Sequence, residues 1–177
     1  LPHGGELPAC RIGLDTSGFQ GSDAAGQRIK LGLGSSAAIT VALMGALLGF
    51  VRAAPQSHEK LRVLCLEAHR RLQDGSGSGI DVLTALAGGV ISIAFSPGSE
   101  LPRETSLSWP DGLHMLAVWS GRSASTPAML DRLHGYRERQ PAACASHMAR
   151  LRKIAGQTVS AWRASETGTV LASLDSY

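Results

Sequence analysis

The chain has few aromatic residues, 5% of 177, and few charges, 18%. Its three cysteines, Cys10, Cys65 and Cys144, are widely spaced and form no CxxC pair. An odd, scattered set excludes a disulfide framework and fits reduced thiols in a cytoplasmic protein. Six histidines are present, none in HExxH or another ligand spacing, so no structural metal is expected. There is no Walker A loop, because GxxxxGK[ST] is absent, and no Rossmann fingerprint, because GxGxxG would need glycine at Ala37. Serine hydrolysis has no GxSxG to rest on. Ser57-His58-Glu59-Lys60 matches SxxK, but neither SDN nor KTG accompanies it, and a helix cap explains Ser57. No repeat period is visible. The start, Leu1-Pro2-His3-Gly4-Gly5, has neither an initiator Met nor the basic-then-apolar order of a signal peptide. It reads as the inside of a longer frame or the product of processing.

What the chain does have is glycine, 21 residues, and 44% hydrophobic residues, enough to fold around a core. The net charge of +3 suits a small anionic ligand. It does not give the concentrated basic stripe of a nucleic-acid binder, and the Arg and Lys residues between 137 and 163 read as a solvated helix face. Residues 31–51 carry no charge, a length that could in principle cross a bilayer. Their first part is too rich in Gly and Ser for that. The remainder, 37–51, reads as a buried core helix.

Along the chain, residues 9–19 read as a strand and 20–27 as a polar loop. A strand starts at Arg28 and runs into Gly32-Leu33-Gly34. Ser35 or Ser36 caps a helix that reaches about Ala53 and is apolar on nearly all sides, which predicts deep burial. Ser57 caps a second helix, His58–Leu72, with Leu61, Leu64, Cys65, Ala68 and Leu72 facing inward. A Gly/Ser loop over 73–79 leads to a helix from Ile80 to about Leu86, ended by Gly88-Gly89. Residues 90–95 read as a strand, 96–103 as a loop and 113–119 as another strand. Helices follow over about 128–137, 142–164 and beyond Thr167. Strands and helices mix as in an α+β or α/β fold.

Three loops, at 31–38, 73–79 and 120–126, share one pattern: small residues and then a helix start. A helix N-terminus offers unpaired N–H groups and partial positive charge, and glycine lets backbone approach a ligand closely. Together these make an anion site, with phosphate the usual occupant. The loop at 31–38 is the best of the three, because Ser35 and Ser36 add hydroxyls for phosphate oxygens or Mg²⁺. Tight helix packing is the structural alternative.

Lys30-Leu31-Gly32-Leu33-Gly34-Ser35-Ser36-Ala37-Ala38 resembles the second signature of the GHMP kinases, whose core is GLGSSA. Ala68-His69, then Gly77-Ser78-Gly79-Ile80-Asp81-Val82, then Gly88-Gly89, resembles the phosphomevalonate kinase pattern AH…GSGFDV…G. The Pro that usually opens the second signature is absent, as it is in phosphomevalonate kinases, which tend to carry a Lys before GLGSSA. Mevalonate kinases place a Mg²⁺-binding Glu two residues after the Ala68 position. This chain has Arg70 there.

The resemblance implies a two-domain α+β GHMP kinase fold with a ribosomal-protein-S5-like N-terminal half. Residues 1–105 would be the ATP-binding domain without its first part, and 106–177 the truncated start of the C-terminal domain. It implies γ-phosphoryl transfer from MgATP to phosphomevalonate in isoprenoid-precursor synthesis. Mevalonate or another hydroxyl acceptor is the alternative within the family, and a non-catalytic nucleotide-binding module the alternative outside enzymes. ATP phosphates and Mg²⁺ would be held by Gly32, Leu33, Gly34, Ser35, Ser36 and Ala37, with Ser36 reaching the metal. Asp81 matches the family acid beside the acceptor; its structural alternative is a first-turn acid stabilised by the helix dipole. Lys30, His69, Ser78, Gly79, Arg122 and Ser123 are the candidate acceptor-binding residues. The family's N-terminal Pro-Gly/Lys element and its third motif, GAGxGG, do not occur, so the chain reads as an internal portion. Its partners are expected to be a small phosphorylated or hydroxyl acceptor and, in a homodimer, itself, with no nucleic acid and no membrane.

Overall fold

The computed structural model describes residues 9–23, 25–51, 57–73, 75, 77–96, 98, 101–121 and 126–177. The chain divides into two compact units, Leu1–Glu104 and Thr105–Tyr177.

In the first unit, residues 9–16 form no strand. Asp15 Oδ1 accepts the Ser17 N–H at 2.9 Å, an Asx turn that bends the chain into a single 3₁₀ turn over Ser17–Phe19. That bond also holds the Asp15 carboxyl below its ordinary value. The loop predicted over 20–27 is mostly hairpin. Strand β1, Gln20–Ser22, pairs antiparallel with β2, Arg28–Lys30, setting Gln20 opposite Lys30. Asp23 makes the turn: its Oδ1 accepts from Ala25 N at 2.9 Å and Gln27 N at 2.8 Å.

Helix α1, Ser35–Phe50, starts one residue earlier than a serine cap would allow. Gly34 is its N-cap, at φ 71°, and no side chain caps it. Both serines lie inside the first turn. The predicted deep burial holds only for Ser35, Ala37 and Thr40; Phe50 at the far end is 47% exposed. Among the described residues helix α2, His58–Leu72, and helix α3, Ile80–Ala87, pack on α1, too few neighbours to bury its apolar surface on all sides.

Ser57 does cap α2, accepting from Lys60 N at 3.2 Å. The inward face of α2 is narrower than its periodicity suggests. Leu64 and Leu72 are exposed, and the buried positions are Cys65 and His69, with Leu61 half-buried, an i, i+4 row. Helix α3 begins at Gly79 and ends at Gly88, as its glycines predict.

Ala37, Cys65 and Val82 form the buried centre of the unit, with Val41, Met44, Leu61, Leu66 and Leu86 packed around them. Strand β3, Val90–Ala94, follows, and pairs with β4, Arg103–Leu107, whose first two residues close the unit. β4 starts at Arg103, the last residue of the loop predicted over 96–103, and occupies a stretch to which the sequence pattern assigns no element. Its sequence, Arg-Glu-Thr-Ser-Leu, shows almost no apolar alternation. Arg62 of α2 holds this stretch: it donates to the Pro102 carbonyl at 3.2 Å and lies 3.7 Å from Glu104 Oε1.

The second unit is helical. Helices α4, Thr126–Arg139, and α6, Thr167–Asp175, pack on the long α5, Pro141–Arg163. Leu113, Ala161 and Val170 are its core. Trp162 lies edge-on to Trp109 at 5.3 Å and donates from Nε1 to the Ser108 carbonyl at 2.7 Å. The strand predicted over 113–119 is irregular, with Met115, Leu116 and Val118 exposed. A strand needs a neighbour for its ladder, and none pairs with this segment among the described residues. No helix among the described residues is long and apolar enough to cross a membrane.

Candidate active site

Two of the three small-residue loops lie in the first unit, and both start a helix in the same way. At 32–34, Gly32 has φ 75° and Gly34 φ 71°; at 77–79, Gly77 has φ 103° and Gly79 φ 71°. A side chain at such values costs about 1–2 kcal/mol, so glycine is the natural residue at both caps. Ala37 and Val82 are the third residues of α1 and α3, and both belong to the one buried cluster around Cys65. Shared burial therefore brings the first turns of the two helices together; in α1 the backbone N–H groups of that turn have no helical acceptor, whereas in α3 Ile80 N–H is bonded to Ser78 Oγ at 3.4 Å and Val82 N–H to Asp81.

The chemistry at the two starts differs. The first turn of α1 has no acid and carries Ser35 and Ser36. A Cβ at Gly32 or Gly34 would meet nothing within 4 Å, so the backbone is open to an approaching group. This open, neutral, hydroxyl-bearing helix start fits a polyphosphate. Ser35 itself is buried, whereas Ser36, half-buried, gives its carbonyl to the Thr40 hydroxyl at 2.9 Å.

The first turn of α3 carries Asp81. Its Oδ1 accepts the Val82 N–H at 3.0 Å, and its Oδ2 lies 3.7 Å from Nε2 of His69. The Asp81 side chain is 43% exposed, the His69 side chain 4%. Here a side chain lies close to each glycine. A Cβ at Gly79 would come within 2.4 Å of Leu66 Cδ2, and one at Gly77 within 2.6 Å of Gln73 Oε1.

Two clefts flank these starts. One, about 420 Å³, is lined by Arg28, Lys30 and Ser35 together with Thr16 and Gln20. The other, about 680 Å³, is lined by His69, Arg70, Ser78, Gly79 and Glu67, with Val63, Phe95 and Leu101 as its apolar wall. The predicted acceptor group is thus divided: Lys30 is in the first cleft, and His69, Ser78 and Gly79 are in the second. Asp81 touches the second through His69. Arg122 and Ser123 lie outside the described residues. Sequence reasoning passed over Arg28, although Arg28 and Lys30 at i and i+2 share one face of β2, which is the signal that could have found it. Glu67 is paired with Arg71 one turn along α2. Among the described residues no group of three or more His, Cys, Asp or Glu could hold a metal ion.

Comparison with known proteins agrees with the first unit's two loops. No curated protein and no solved structure matches the chain. Residues 23–89 match the family model described as the GHMP kinases N terminal domain, a span that takes in both glycine loops.

Proposed function

We propose that this chain is part of an ATP-dependent kinase that phosphorylates phosphomevalonate. The reading extends to the fold: residues 1–105 as the ATP-binding, S5-like half and 106–177 as the start of a second domain. The observation that carries it is the joining of two glycine-capped helix starts, one open and neutral, the other acidic, in one core cluster. A kinase needs one place for a polyanion and another for an acceptor, close together.

Gly32, Leu33, Gly34 and Ala37 would contribute backbone to the triphosphate, and Ser35 and Ser36 hydroxyls, Ser36 toward Mg²⁺. When bound, MgATP supplies the γ-phosphoryl group and the charge-neutralising metal. The open side of Gly32 and Gly34 fits that ligand. Arg28 and Lys30, lining the cleft with Ser35, would offset its negative charge. Asp81 faces the acceptor, with Ser78 and Gly79 beside it. With a phosphate acceptor, whose second pKa is about 6, the nucleophile is already ionised at neutral pH, and charge neutralisation is the larger task. With a hydroxyl acceptor, Asp81 would orient the hydroxyl and take its proton. The exposed carboxylate of Asp81 favours this hydroxyl case as the second reading.

The test is ADP release from MgATP, run in parallel with phosphomevalonate and with mevalonate. ADP with phosphomevalonate alone is the expected result. ADP with mevalonate alone would keep the superfamily and overturn the acceptor. A folded protein that binds MgATP and releases no ADP with either would overturn this assignment in favour of another acceptor or a non-catalytic module.

A further inference from the structure

We propose that His69 is a positioning residue: its buried imidazole holds the Asp81 carboxylate through an Nε2–H directed at Oδ2. The consequence for turnover rests on the kinase reading above; the pairing itself does not.

His69 occupies the third place in the row Leu61, Cys65, His69 on the inner side of α2, and is 3% exposed. Burying an imidazole among apolar groups is unfavourable unless its polar atoms find partners. Nε2 has no hydrogen-bond partner. The acid it approaches is Asp81, whose Oδ2 is 3.7 Å away. The other carboxylate oxygen of Asp81 is already fixed by the Val82 N–H at 3.0 Å. The carboxylate is therefore anchored at one oxygen by its own helix and approached at the other from beneath by a buried ring. Closing the gap to a hydrogen bond of about 2.9 Å takes less than ~1 Å of movement. Catalytic hydrogen bonds are often long without ligand and tighten when it binds.

Two neighbours that could compete for the ring do not do so. Glu67, two residues earlier on α2, is engaged by Arg71. Arg70, the next residue, is exposed on the cleft side and offers no acceptor atom. What this arrangement gives Asp81 is orientation: each carboxylate oxygen has a fixed neighbour, while the side chain as a whole stays 43% exposed and open to an acceptor. A packing role alone would be met equally well by an apolar residue of similar size.

Two measurements on the full chain decide it. In ¹⁵N-histidine NMR, His69 should carry a proton on Nε2, and Asp81→Asn should shift its ring nitrogen signals. Signals that show a proton only on Nδ1, or that ignore Asp81→Asn, would overturn the pairing whether or not the chain turns over. In the ADP assay, His69→Leu should lower kcat about 10–100-fold, the usual effect of losing an orienting partner, with KM for ATP unchanged. His69→Gln, which keeps an N–H near the Nε2 position, should recover most of that loss. Equal loss in the two variants at matched melting temperature, or no loss in His69→Leu, would reduce His69 to packing. If the wild-type chain shows no turnover with any acceptor, the kinase reading falls, and the NMR result alone judges the pairing.

Discussion

At Gly34 and Gly79 the backbone makes nearly the same left-handed turn, φ 71° at both, with ψ 27° at the first and 5° at the second. What surrounds the two turns differs. Around Gly34 there is open space and two serines; around Gly79 there is Leu66 on one side and an acid two residues ahead. The same local rule, glycine before a helix start, thus leaves open backbone at one place and gives close packing at the other. Distinguishing the two required the third dimension, because GLGSS and GSGID look alike as glycine patterns.

The comparison can be sharpened by breaking each loop in turn. Asp81→Asn should have the largest effect with a hydroxyl acceptor, lowering kcat by about 10²–10⁴-fold, and a smaller one with the phosphate acceptor proposed above, with little change in melting temperature in either case. A loss much smaller than that would favour a phosphate acceptor that arrives ionised. Gly79→Ala should act on stability. The left-handed backbone costs about 1–2 kcal/mol and moving Leu66 roughly another 1, so urea unfolding should show a loss of about 2–3 kcal/mol. Gly34→Ala meets no side chain, so its stability loss should stay near 1–2 kcal/mol while MgATP binding weakens. A Gly34→Ala variant as unstable as Gly79→Ala would break the contrast between an open and a closely packed loop.

The smallest effect belongs to the core cluster that joins the two starts. Burial pushes the Cys65 thiol above its ordinary value of 9.0. The folded thiol keeps its proton to higher pH than the unfolded one. Stability from this group is complete below the ordinary thiol value and declines as pH rises from there through the raised folded value. Urea midpoints should therefore fall as pH rises above 9.0, and fall less in Cys65→Ala. At neutral pH a thiol reagent should reach the exposed Cys10 first, and Cys65 and Cys144 only on unfolding.

Much of this was legible from residues alone. Ser57 before His58–Leu72, and Gly88 after α3, are local signals that tertiary structure did not override. The glycine loop before α1 and the acid after the second loop were visible as motifs. The misses have physical causes. Serines at 35 and 36 suggest a cap, but a left-handed glycine already turns the chain, which places both inside the helix. The apolar run of α1 predicts burial on all sides, yet burial depends on how many neighbours exist. The segment 113–119 has strand-like residues and no partner among the described residues, and strand structure is a property of pairs. His69 was legible as a motif residue, but not as the buried neighbour of Asp81. That contact crosses from α2 to α3, and no local pattern encodes it.

The most direct test of a division of labour between the two loops is a MgATP titration by calorimetry on three proteins: wild type, Gly34→Ala and Asp81→Asn. The account predicts that Gly34→Ala raises Kd about tenfold, ~1.4 kcal/mol, because its methyl group intrudes on the open backbone that the phosphates approach, while Asp81→Asn binds MgATP as wild type does. Unchanged affinity in Gly34→Ala, or an equal loss in both variants, would contradict the assignment of the triphosphate to the open loop.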